Sequence, residues 1–102
     1  MRRADTPPRH LSTEARGLYR SFADDWDLDG AALLILQTAL ESFDRMRGAQ
    51  ALIKKHGLTV KGRAHPAVQI ERDARLAMLK ALRQLNLDLE PLRDGPGRPP
   101  GG

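Results

Sequence analysis

The sequence predicts an all-α fold: a short N-terminal helix, then a long antiparallel helical hairpin, with flexible termini. Three observations carry the prediction. Two stretches, about 30–56 and 66–85, repeat apolar residues at helical spacing. Each opens on a capping signal and closes on a stop signal. Both also hold more apolar circumference than one neighbouring helix can cover, which predicts self-association, the alternative being a monomeric three-helix bundle with scattered exposed leucines.

In chain order, "MRRADTPPRHL" (1–11) combines Arg2, Arg3 and Arg9 with Pro7-Pro8, whose rings cannot continue a helix. It reads as a flexible basic arm. Ser12 then offers an N-cap hydroxyl, with Glu14 in the first turn and Ala15, Leu18, Tyr19 and Phe22 on one side. This first helix ends near "DDWDLD", where Trp26 and Leu28 fold back as apolar plugs.

Asp29 caps the second helix, which runs to His56 before an αL stop at Gly57, a rod of about 40 Å at 1.5 Å per residue. Ala32, Leu33, Ile35, Leu36, Ala39, Leu40, Phe43, Met46, Ala51 and Ile53 share a broad face. Gln37, Glu41, Asp44 and Lys55 lie opposite, and Leu34 and Leu52 fall outside the apolar arc. Gly48 costs about 1 kcal/mol against alanine inside a helix, so a close helix contact or a bend is expected there. "LTV" and "RAH" flank Lys61-Gly62, a basic tip that fits either a tiny hairpin or an extended loop.

Pro66 occupies the first position of the third helix, where its missing N–H costs nothing, and Asn86 follows its end. Ile70, Ala74, Ala77, Met78, Ala81, Leu82 and Leu85 form the face expected on the second helix. Val68, Leu76 and Leu79 lie elsewhere, and leaving three such side chains in water forgoes about a few kcal/mol. Glu71 and Arg75 form an i, i+4 pair within this region, fitted to fixing register or a subunit contact rather than to acid–base chemistry. Leu36, Leu40, Phe43, Val68, Ile70, Glu71, Arg75, Leu76 and Leu79 are thus the expected packing and oligomer residues. Helical structure extends over 12–88, and the Pro/Gly-rich 89–102 reads as a disordered tail.

The 102 residues allow one domain, with hydrophobic residues at 40% and charged residues at 29%. Net charge is +4, which favours anionic partners, nucleic acid first and membrane second. There is no cysteine, which excludes disulfides, thiolate catalysis and Cys-based metal sites. The run "AALLILQTAL" is too short for a bilayer crossing, so no membrane partner is expected. No secretory signal is apparent. His10, His56 and His65 have no ligand spacing among them, and no glycine-rich loop opens a helix after a strand, so neither metal nor cofactor nor catalysis is expected.

The candidate phosphate contacts are Arg2, Arg3, Arg9, Arg16 and Arg20 at one end, and Lys54, Lys55, Lys61 and Arg63 around the tip. A helix-turn-helix reader across "ADDWDLDGAALLILQ" fails because its recognition helix would begin Asp29, Gly30, Ala31, Ala32, with no base-reading side chain. "PGRPPGG" lacks the first arginine of a minor-groove hook and is better read as plain tail.

"RAHPAVQIERDARLAMLKALRQLNLD", with "HGLTV" upstream and "PPRHLSTEARGLY" at the start, resembles the short helical small terminase subunits of siphophages and prophages. The run His65-Pro66-Ala67-Val68 followed by Ile70-Glu71-Arg72-Asp73-Ala74 is its most specific part, and the likeness extends over about 7–92. It implies protomers assembling into an oligomeric ring, in the cytoplasm of the bacterial host. That ring would recognise double-stranded viral DNA at the packaging start and pass it to the large terminase subunit, which holds the ATPase and nuclease. The stretch between Val60 and His65 is shorter than in many such proteins, and "DLEPLRDG" stands where a Ser/Arg-rich helix often follows. Read from charge and size alone, a basic transcriptional regulator, an antitoxin-like dimer or an interaction scaffold remain alternatives.

Overall fold

The computed structural model describes residues 6–85. It holds three helices and one small hairpin: α1 (Thr13–Asp25), α2 (Gly30–His56), β1 (Thr59–Val60), β2 (Arg63–Ala64) and α3 (Pro66–Leu85). The fold is mostly helical, and α3 packs along α2 far more extensively than α1 does. Arg2 and Arg3, the end of the expected helical region and the tail 89–102 lie outside the described residues.

Each helix begins where its cap chemistry requires. The Ser12 hydroxyl accepts from the Ala15 N–H at 3.0 Å, and the Asp29 carboxylate accepts from the Ala32 N–H at 2.8 Å. Trp26 leaves α1 in an extended conformation, its N–H still donating to the Phe22 carbonyl, and its ring stacks on Phe22 with centroids 5.6 Å apart. Trp26 is half-buried, and Leu28 packs against the core. Gly57 ends α2 at φ 87°, ψ 169°. The φ is positive, but the ψ is extended rather than αL, so the chain turns directly into β1 and needs glycine to do so.

The segment before α1 corrects the expected arm. Pro7 and Leu11 are buried, and Leu11 belongs to the core with Ala15, Tyr19, Leu36, Leu40, Phe43, Met46 and Ala74. Polar bonds fasten the same segment to α2. His10 Nε2 lies 2.7 Å from Glu41 Oε2, and the Ser12 N–H and hydroxyl both donate to the Asp44 carboxylate. Two prolines restrict the unfolded chain here, so this docking costs less entropy than it would for a flexible segment.

The inner line of α3 follows expectation at Ala74, Met78, Ala81, Leu82 and Leu85, and departs from it by burying Ala67 while leaving Ile70 and Ala77 outside. Its buried residues are Ala67, Ala74 and Ala81, spaced by seven, with half-buried Glu71 and Met78 between them and half-buried Leu85 one turn beyond. That alternation of four and three is a coiled-coil seam in which every second position is a methyl group. α2 likewise buries Ala39, Ser42 and Ala49 beside Leu36, Leu40, Phe43 and Met46. Ile70, Ala77 and Ala51, expected on inner faces, are exposed, Ile70 at 43%. Small side chains let two helices approach closely, and the seam turns until the alanines rather than the larger Ile70 face inward. Leu18 is displaced to the surface of α1, where Ala23 takes the inner place.

Of the two expectations for Gly48, the close helix contact is not met. A Cβ added there meets nothing within 4 Å, so it makes no close helix contact within the chain.

Candidate nucleic-acid interface

Between α2 and α3 the chain makes a two-residue hairpin, with Thr59 paired to Ala64 and Val60 to Arg63. Lys61 and Gly62 form its tip at φ 55° and 77°. Positive φ at both central positions is the hairpin turn whose twist matches the strands, which settles the choice between hairpin and loop. Gly62 adopts it freely, while Lys61 carries a Cβ into the left-handed region.

Four sequence-selected cations meet at this end of the molecule. Lys54 and Lys55 occupy the last turn of α2, and Lys61 and Arg63 stand on the hairpin, all exposed. The two lysines also complement the carbonyl end of the helix dipole, so part of their role is structural. The hairpin holds further exposed apolar side chains, Leu58 and Val60.

The other expected cations lie elsewhere. Arg9 and Arg20 are exposed, whereas Arg16 is half-buried, with its guanidinium 3.4 Å from the Thr13 hydroxyl. The N-terminal segment is tied to Asp44, ten residues before Lys54, or about 15 Å along the helix axis. The two basic groups are therefore separate patches.

A chain of polar contacts spans the three helices behind the tip. Glu14 accepts from Arg47 at 3.1 Å, Arg47 donates to Gln50 at 3.0 Å, and Gln50 donates to Glu71 at 3.1 Å. Arg75 closes it by donating to Glu71, the i, i+4 pair that the sequence spacing anticipates. Bonding to Arg75 first, and then to Gln50, holds the Glu71 carboxyl below its ordinary value of 4.5. Arg47 also lies over the Phe43 ring, 5.0 Å from its centroid.

No family model, curated protein or solved structure matches this chain.

The expected packing residues divide into two sets. Leu36, Leu40 and Phe43 are core, with Leu36 fully buried. Leu76 is 59% exposed and Leu79 is 45% exposed, while Val68 is half-buried. At 100° per residue Leu76 and Leu79 fall on the half of α3 away from Ala67, Ala74 and Ala81, interleaved with exposed Arg72 and Arg83. Leu34, 63% exposed, and Leu52 share one azimuth on α2, eighteen residues and five turns apart. The described residues thus bury a core and still leave large aliphatic side chains exposed.

Among the described residues no group of three or more potential metal ligands occurs, and no helix is long and apolar enough to cross a membrane. An open cleft beside the Phe22–Trp26 stack is lined by Ser21, Phe22, Asp25 and Trp26. One pairing that sequence spacing hides is that of His56 and His65, whose rings stack across the base of the hairpin. The signal for it is the Gly57 and Gly62 pair between them, which allows the chain to reverse.

Proposed function

We propose that this chain is a non-enzymatic DNA-packaging adaptor: a small terminase subunit whose copies form a ring, bind double-stranded viral DNA and recruit the large terminase subunit in the bacterial host cytoplasm. α2 and α3 act in it as the antiparallel helical hairpin, with the β-turn as its DNA-facing tip. The Gln50–Glu71 and His56–His65 contacts support that reading, because each joins the late part of α2 to the early part of α3.

The observation that carries the proposal is the outward face of α3, where Leu76 and Leu79 stand exposed while the described residues bury a core around Leu36. Covering such side chains with a second copy yields about 1.5–3 kcal/mol for each one fully buried. Assembly then repeats the cluster of Lys54, Lys55, Lys61 and Arg63 around the particle. Several weak phosphate contacts become one strong one through effective concentration. Recognition depends on phosphate position and DNA shape, since the helix that a helix-turn-helix reader would present begins Asp29, Gly30, Ala31, Ala32 and offers no base-reading side chain.

The direct test is duplex binding by a variant with Lys54, Lys55, Lys61 and Arg63 changed to glutamate, with particle mass measured in parallel. Binding should fall steeply while mass is unchanged, and the wild-type affinity should drop with salt on a log–log slope of several units. Unchanged affinity moves the site to the N-terminal patch. Lys61→Asn is the controlled single step, because asparagine tolerates the same turn while removing one charge. A stable dimer with tight operator binding would favour a transcriptional regulator instead.

A further inference from the structure

His56 is the last residue of α2 and His65 directly precedes α3. His56 Nδ1 lies 3.3 Å from His65 Nε2, and the rings are 16° from parallel with centroids 5.4 Å apart. The other nitrogen of His65 is committed: its Nδ1 accepts from the Ala67 N–H at 2.9 Å, capping the first turn of α3. A ring nitrogen that accepts an N–H carries no proton. His65 therefore bears its proton on Nε2, and that group donates to His56 Nδ1, which must itself be bare. One arrangement satisfies the relay from Ala67 through His65 to His56, and in it both rings are neutral.

We propose that this pair is a proton-operated clip that sets the posture and charge of the basic hairpin. Its effect on nucleic acid rests on the DNA-binding reading above. A proton on His65 Nδ1 opposes the Ala67 N–H donor to donor, and it places positive charge at a helix N-terminus, where the dipole disfavours it. A proton on His56 Nδ1 opposes the His65 Nε2–H in the same way. Acid thus opens one bond or the other and adds charge to the tip.

The charged residues nearest the pair along the chain are Lys54 and Lys55 on α2 and Lys61 and Arg63 on the hairpin. The first turn of α3 holds no acidic residue, and Glu71 beyond it is engaged by Arg75 and Gln50. The segment before α1 meets α2 farther back, at Glu41 and Asp44. A bound phosphate supplies the counter-charge that these elements do not. A metal ion on His65 Nε2 would force the proton onto Nδ1 and break the cap, so the geometry serves protons better than metals.

Ring-nitrogen NMR of the full chain at about pH 8 should show both residues with the proton on Nε2. Lowering the pH to about 5 should shift the amides of the hairpin together with both imidazoles. Exchange of the Ala67 amide should quicken about fivefold beyond its intrinsic pH dependence, the loss of one N-cap. His65→Asn, which keeps a capping side chain that cannot titrate, should hold that amide constant. A proton on His65 Nδ1 at pH 8, or hairpin amides that ignore pH, overturns the clip. Duplex affinity at fixed salt should rise about threefold or more from pH 8 to pH 6, and a His56→Gln/His65→Asn protein should lose that rise. Equal affinity at both pH values overturns the coupling to DNA. Absence of duplex binding at any pH overturns the DNA reading instead, and the NMR result alone then decides the clip.

Discussion

The Gln50 side chain donates from Nε2 to Glu71 Oε2 at 3.1 Å, turning an i, i+4 ion pair within α3 into a bond between helices. Gln50 also accepts from Arg47, so its amide is oriented from both ends. Gln50→Ala should lower the urea midpoint, and Gln50→Glu should lower it further by placing a second carboxylate against Glu71. If Gln50→Glu were as stable as wild type, the link would not hold the helices in register.

Leu36 has no exposed surface, and its truncation leaves a cavity that neighbouring alanines cannot fill. Leu36→Ala should cost about 2–5 kcal/mol in equilibrium denaturation. Leu76→Glu and Leu79→Glu, on the outward face, should leave helicity and the single-chain core intact. They should abolish assembly as followed by light scattering. Loss of helicity in these two variants would return both leucines to the core of the protomer.

Gly48 has open space around its missing Cβ. Gly48→Ala should stabilise the protomer by about 1 kcal/mol, measured as a raised denaturant midpoint at unchanged slope. A destabilised protein would mean that the glycine meets a close neighbour after all.

Glu41 is held below the ordinary carboxyl value of 4.5 by its bond from Gln37, then by His10. Glu71 is held down by Arg75, then Gln50. For a group whose folded value is depressed, the stabilisation is complete above the unfolded value and is lost as pH falls through the folded one. Stability should therefore be insensitive to these two groups above about pH 5 and decline below about pH 4.5. Glu41→Gln/Glu71→Gln should flatten that acid limb in a series of urea titrations. An unaltered acid limb would show that neither bond is held in solution.

The helices were legible because their ends carry local chemistry. Ser12, Asp29 and Pro66 mark starts by what they can or cannot bond, and Gly57 marks the stop of α2. The inner face of α3 was harder, because hydropathy ranks Ile70 far above Ala67, yet Ala67 is buried and Ile70 is exposed. Docking of Leu11 depends in part on Leu36, Leu40, Phe43, Met46 and Ala74, 25 or more positions away, which periodicity within the segment cannot reveal. For the candidate interface, charge alone identified Lys54, Lys55, Lys61 and Arg63. The His56–His65 pair required the turn geometry that brings them together.

The native mass of the purified particle, at the concentrations used for DNA binding, tests most directly whether the outward leucines of α3 are covered by further copies. The expected result is a closed assembly well above a dimer that dissociates on Leu79→Glu. A monodisperse single chain, folded and unchanged by that substitution, would contradict it.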